Sequence, residues 1–164
     1  MLEPVKLNEK VVSLLNERIS DEYAAHYFYR NVSNYCEEVG YTKAAKFFAK
    51  EAANELEHAE GLQKYLTDWN ITPTLMPISM PAKVSGLVDA IESAYEIEYD
   101  LYKQYESSSA EILKMSELST FDFLAKYREL QRESVAEYAT LINKLELIDN
   151  TDKNWVANFE HENF

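Results

Sequence analysis

Apolar residues recur at three- and four-residue steps through four long stretches of the chain, the period of a helix with one buried face. From about Asn8 to Glu38 the inward stripe is Val12, Leu15, Ile19, Glu22, His26, Tyr29 and Cys36, and Gly40 follows as a helix stop. Thr42 offers an N-cap for a second helix reaching about Trp69, with Ala45, Phe48, Glu51 or Ala52, Glu55, His58, Leu62 and Tyr65 or Leu66 on one face. A third stripe, from about Leu87 to Lys114, takes Leu87, Ile91, Ala94, Glu98, Leu101 or Tyr102, Tyr105 and Ile112. The fourth, capped by Ser119 or Thr120 and continuing to about Leu147, takes Leu124, Tyr127, Gln131, Ser134, Tyr138, Leu141 and Leu145. The closing TDKNWVANFEHENF predicts a short fifth helix with Trp155 and Phe159 on one side.

Between the second and third helices lies NITPTLMPISMPAKVSG, which holds three of the four prolines. A proline inside a helix costs about 3 kcal/mol, so this stretch reads as extended chain. It is longer than the loop of about 2–8 residues that joins antiparallel neighbours. At about 3.3 Å per residue it can travel the length of a bundle. The pattern predicts an all-α four-helix bundle with one long crossover between helices 2 and 3. The low glycine and proline content (Gly 3, Pro 4) agrees, because sheets need many more turns. At 164 residues the chain suits one domain, residues 1–164, with one continuous core.

Three of the four stripes carry a carboxylate where the period demands an apolar residue: Glu22, Glu55 and Glu98. The fourth carries an amide, Gln131. Burying an isolated carboxylate is costly, and three together repel one another unless cations hold them. A pair of divalent metals meets that need. His58 follows Glu55 by three residues, so one helix face presents an oxygen and a nitrogen ligand together. Glu-x-x-His alone is a weak signal; its conjunction with Glu22, Glu98 and Gln131 at mid-helix positions is a specific one.

Charge narrows the field further. A formal net charge of -13 repels nucleic-acid phosphates, and no Lys/Arg stripe compensates, so DNA binding is disfavoured. Carboxylate excess suits hard or borderline cations. The lone Cys36 excludes an intramolecular disulfide and any Cys-rich zinc or iron–sulfur site. MLEPVKLNEK lacks the apolar core of a signal peptide, and no apolar run reaches membrane-span length, so a cytoplasmic, membrane-free protein is expected.

ELEHAEGLQKYL, from Glu55 to Leu66, resembles the second-helix signature of ferritins. LNERISDEYAAHYFY in the first helix, EIE ending at Glu98 and YRELQRE around Gln131 are similarly placed to those of a bacterial-type non-haem ferritin, and the resemblance spans essentially the whole chain. It implies a ferroxidase that oxidises Fe(II) to Fe(III) at a di-iron centre and stores it as mineral inside a hollow homo-oligomer of roughly 24 subunits with closed symmetry. By the resemblance, Glu22, Glu55 and His58 hold the first of two irons per subunit. Glu55 bridges to the second, held also by Glu98, with Gln131 close by. Tyr29, two turns beyond Glu22, is the tyrosine that ferritins keep beside the pair. Fe(II) and dioxygen or peroxide are the implied partners.

The chain departs from the family pattern at a third iron site. Its matching positions are Asn54, Leu130 and Ser134, with only Glu133 acidic, which disfavours a third site and leaves the second iron poorer in carboxylates. The second iron is therefore expected to bind more weakly. Glu57 and Glu60 face either an inner cavity, where they would nucleate mineral, or solvent. His26 reads as a satisfied core histidine, and Trp69, Trp155 and Cys36 as packing residues. A di-iron oxidoreductase or bacterioferritin is disfavoured because no second Glu-x-x-His exists: Glu133 is followed by Ala136. Haem is not expected, since the second helix has no methionine. A DNA-protecting mini-ferritin fits poorly with an acidic tail and ligands drawn from one chain. A metal-free bundle would require all three glutamates to be exposed.

Overall fold

The computed structural model describes residues 1–164 and contains α1 Glu9–Val39, α2 Thr42–Asp68, α3 Leu87–Lys114, α4 Leu118–Leu145 and α5 Lys153–Asn163, with no strand. Asn8 starts α1 by accepting the Lys10 N–H at 2.8 Å. Gly40 ends it in the left-handed conformation (φ 92°), which favours glycine, and donates its N–H to the Cys36 carbonyl at 3.0 Å.

Two caps differ from the sequence expectation. Thr42 is the first residue of α2, and Tyr41 at the cap position makes no side-chain bond. A carboxylate from α5 does the capping: Glu160 Oε1 accepts the N–H groups of Lys43 at 2.7 Å and Ala44 at 2.9 Å. Two orphan amides and the positive helix end are thereby met by one remote charge, and α5 is tied to α2. Likewise α4 begins at Leu118, so Ser119 and Thr120 lie inside it. The Thr120 hydroxyl is buried against the Tyr65 hydroxyl at 2.9 Å, a packing role that overrides its capping preference. The helix ends at Leu145, short of Leu147.

The crossover runs along α1, bonded to Asn16 through the Thr74 N–H at 3.0 Å and to Asn31 through the Ala82 carbonyl at 3.2 Å. It therefore returns the chain to the end where α2 began. Cross-bundle pairs confirm the resulting directions. Arg18 meets Ser108 while Tyr29 meets Glu98, so α1 and α3 are antiparallel; His58 meets Tyr127 while Tyr65 meets Thr120, so α2 and α4 are too.

The four predicted stripes form the core, with small adjustments. Val11 is buried in place of Val12, Ala52 in place of Glu51, Leu66 in place of Tyr65 and Leu101 in place of Tyr102; His26 and Ser134 are half-buried. On α5, Phe159 is buried but Trp155 is 52% exposed, so the two do not share one buried face. No helix is long and apolar enough to cross a membrane.

Candidate metal centre

The inward stripes bring their polar members together near the middle of the bundle. Glu22 and Glu98 are 0% exposed, Glu55 and Gln131 2%. Each sits one or two helical turns from large apolar neighbours, which is what keeps water out. The ligand atoms of Glu22, Glu55 and His58 lie within 4.8 Å of one another. His58 Nδ1 is 3.1 Å from Glu55 Oε2 and 3.6 Å from Glu22 Oε2. Glu22 Oε1 accepts the Tyr105 hydroxyl, while Glu22 Oε2 is buried with no hydrogen-bond partner. A buried carboxylate oxygen without a partner is costly. Aimed beside an imidazole nitrogen and a second carboxylate, it suits a divalent cation.

Glu98 and Gln131 occupy the other side. Glu98 Oε1 accepts the Tyr29 hydroxyl, and the Gln131 amide donates to Glu98 Oε2 at 2.6 Å and to the Glu98 carbonyl at 3.3 Å. Tyr29 is fully buried and stacks between Phe48 and Tyr138, at 6.1 and 6.2 Å. The six residues singled out from the sequence thus form two adjoining groups. One is Glu22, Glu55 and His58; the other is Glu98, Gln131 and Tyr29.

Protonation keeps the metal-free centre near neutrality. Burial pushes Glu55 well above the usual carboxylate range, opposed by its bond to His58 and reinforced by the charges of Glu22 and Glu98. Burial acts the same way on Glu22, but the nearby His58 and Glu55 and the Tyr105 hydroxyl outweigh it and hold that carboxyl below its ordinary value. Of the pair, Glu55 keeps the proton and Glu22 the charge. For His58 burial acts downward, yet the neighbouring Glu22 and Glu55, the latter within hydrogen-bond distance, lift it to about 10. Glu98 is raised by burial to about 7 despite the bonds from Tyr29 and Gln131, with the Glu22 charge adding to the rise. Protons therefore occupy the place that a cation would take.

The remaining positions are plainly placed. His26 is half-buried, with a ring nitrogen 2.5 Å from the Ala52 carbonyl. Among the third-site positions, Glu133 and Leu130 are exposed, Ser134 is half-buried and Asn54 bonds Glu51 at 3.2 Å. Glu57 and Glu60 are both exposed. Sequence reasoning passed over Tyr105 as plain core. Its signal was present: a phenol on an inward stripe needs a polar partner, and it stands two turns from Glu98 on the same face.

Comparison with known proteins bears on the family and the fold. Residues 12–148 match the Ferritin-like domain family. The chain belongs to the ferritin-like family. A bacterial non-heme ferritin of Campylobacter jejuni is 32% identical over 143 residues, covering 87% of this chain and 86% of that protein. A probable bacterial non-heme ferritin-like protein of Haemophilus influenzae is 28% identical over 148 residues, covering 90% of each. An open-pore ferritin from Archaeoglobus fulgidus shares the fold, with a TM-score of 0.88, 24% identity and 95% of each chain covered. The ferritin-like bundle, with its single crossover and short fifth helix, is thus the architecture of this chain.

Proposed function

We propose that this ferritin-like protein is a ferroxidase and iron store, binding two Fe(II) ions per subunit as substrate. The observation that carries the proposal is the partnerless oxygen of Glu22 beside Glu55 and His58 in a dry interior. Fe(II) enters there, attracted by the net charge of -13, and displaces the protons held on His58 and Glu55. Glu55 then faces a second ion, which Glu98 and Gln131 receive from the opposite helices, with Tyr29 beside it. Carboxylates stabilise the more highly charged Fe(III), so the ligand set favours oxidation. Two Fe(II) each give one electron to dioxygen, which takes two protons and leaves as hydrogen peroxide.

Storage needs an enclosed space, which one bundle lacks. The likeness to bacterial non-heme ferritins supports a closed homo-oligomer, residues 1–164 forming each wall unit, around an Fe(III) mineral. Neither nucleic acid nor membrane enters the proposal, and the cytoplasm is its setting. Anaerobic Fe(II) addition followed by air tests it. Wild-type protein should develop Fe(III) absorbance rapidly and scatter light as a large closed particle, and Glu55→Ala and His58→Ala should not oxidise iron rapidly. A monomer inert toward Fe(II), or variants as fast as wild type, would refute it.

A further inference from the structure

Five aromatic side chains form an unbroken line from the metal centre to the surface, on the side away from Tyr29. Tyr105 donates its hydroxyl to Glu22. Tyr127 stacks on Tyr105, ring centres 5.5 Å apart and planes 10° from parallel. Phe123 lies 5.5 Å beyond, and Tyr65 stacks on Phe123 at 3.9 Å and 10°. Trp69, half-buried at the C-terminal cap of α2, closes the line 6.5 Å from Tyr65. Tyrosine and tryptophan are the side chains most readily oxidised by one electron, and here they are spaced ring to ring.

Local features hold each phenol in place. Tyr127 donates to the His58 carbonyl at 3.4 Å, and the Tyr65 hydroxyl pairs with Thr120 at 2.9 Å. A glycine in mid-helix costs about 1 kcal/mol relative to alanine, yet α2 carries Gly61. A Cβ there would stand 2.5 Å from the Tyr127 hydroxyl, so the glycine keeps a slot open for that group. The Lys126 ammonium sits 4.9 Å from the Phe123 ring centre and 5.1 Å from that of Tyr127, which disfavours a positive charge on either ring. The hole is therefore only in transit on these two rings and does not rest there.

We propose that Tyr105, Tyr127, Phe123, Tyr65 and Trp69 form an electron relay that supplies a second electron when hydrogen peroxide meets a centre holding a single Fe(II). The relay rests on the ferroxidase reading above, in which a weaker second position leaves some centres singly loaded and dioxygen is reduced to peroxide. Fe(II) gives one electron and Trp69 the other. The O–O bond breaks, one proton is taken up from solvent and one comes from the indole N–H, and two waters form, leaving Fe(III) and a neutral Trp69 radical. Iron alone would supply a single electron and release hydroxide and a hydroxyl radical beside the ligands. Tyr105 lends its proton to the Glu22 carboxylate and recovers it as the hole moves on, while Tyr127, Phe123 and Tyr65 pass the hole by ring contact without giving up a proton. The relay thus spares the ligands by moving the oxidising equivalent to the surface.

The test loads metal-free protein anaerobically with one Fe(II) per subunit, then mixes in one equivalent of hydrogen peroxide. Fe(III) absorbance, freeze-quench electron paramagnetic resonance and peptide mass spectrometry are read together. Wild type should show a tryptophan radical and oxidation of Trp69 in preference to Trp155, which at 52% exposure a freely diffusing oxidant would attack first. Tyr127→Phe keeps the ring but should lose Trp69 oxidation while still forming Fe(III), which reports an intact centre. Trp69→Phe should replace the tryptophan signal by a tyrosine one. Trp155 oxidised as heavily as Trp69, or Trp69 oxidation unchanged in Tyr127→Phe, overturns the relay and leaves the ferroxidase reading standing. Wild-type protein that forms no Fe(III) at all overturns both.

Discussion

The two halves of the candidate metal centre differ in what their polar groups already hold. On the α1–α2 side, Glu22, Glu55 and His58 converge within 4.8 Å and one Glu22 oxygen is left without a partner. On the α3–α4 side, both Glu98 oxygens are already taken, by the Tyr29 hydroxyl and the Gln131 amide. A cation entering the first half displaces protons from groups that hold them only because no metal is there. In the second half it competes with hydrogen bonds and leaves a buried phenol and amide to find new geometry. Such groups cost about 1–3 kcal/mol each when left unsatisfied. The lesson is that ligand type alone does not rank two sites; what each ligand must give up does. In the proposed function the first half is thus the one to bind tightly and the second the one to hold loosely and release.

The largest effect should come from removing the residue that the proposal assigns to both irons. Glu55→Ala should slow rapid Fe(II) oxidation at least about 100-fold, since even outer partners of metal ligands are worth about 10–100-fold. His58→Ala should fall nearly as far. Stopped-flow absorbance checks both, and an oxidation rate within a few-fold of wild type would break the division into halves.

Titration separates the halves next. His58 holds its proton to about pH 10 in the folded metal-free protein against an ordinary 6.5, so its contribution is complete below 6.5 and lost as pH rises through 10. Glu98, at about 7 against 4.5, acts in the same direction, its contribution being lost as pH climbs from 4.5 through 7. The melting temperature of metal-free protein should therefore fall from pH about 5 to about 10, and Fe(II) affinity should climb from about 6 to about 7.5. A metal-free melting temperature that rises across that range removes the proton-holding picture.

A gentler change sharpens the second half. Ser134→Glu adds a carboxylate one helical turn beyond Gln131 and should tighten the weaker iron by about tenfold, the equivalent of about 1.4 kcal/mol, with the tighter step unmoved. Competition against a fluorescent chelator would resolve the two. The smallest effect on iron should come from Glu160→Ala, far from both halves. Loss of the α2 cap should cost about 0.5–2 kcal/mol and speed amide exchange in α5, with iron binding unchanged.

Much of this was legible because helical period is a strong signal over long segments. Glu22, Glu55, Glu98 and Gln131 interrupt apolar stripes, and the structure buries all four. Residues 70–86 declared a crossover through their prolines. What stayed hidden depended on long-range contacts. The α2 cap lies at Glu160, more than a hundred residues from the amides it accepts, so Thr42 drew the eye instead. Thr120 looks like a cap until Tyr65 claims it. Tyr105 looks like filler until α1 delivers Glu22 to its hydroxyl. Repulsion among the carboxylates was legible, but protons on Glu55, Glu98 and His58 relieve it without metal, which periodicity cannot reveal.

Anaerobic calorimetric titration of metal-free protein with Fe(II), run in buffers of different ionisation enthalpy, probes the unequal halves in one experiment. Two steps are predicted: a tight one that releases protons from His58 and Glu55, and a weaker one that depends on Glu98. Two equally tight steps, or no heat of binding at all, would contradict it.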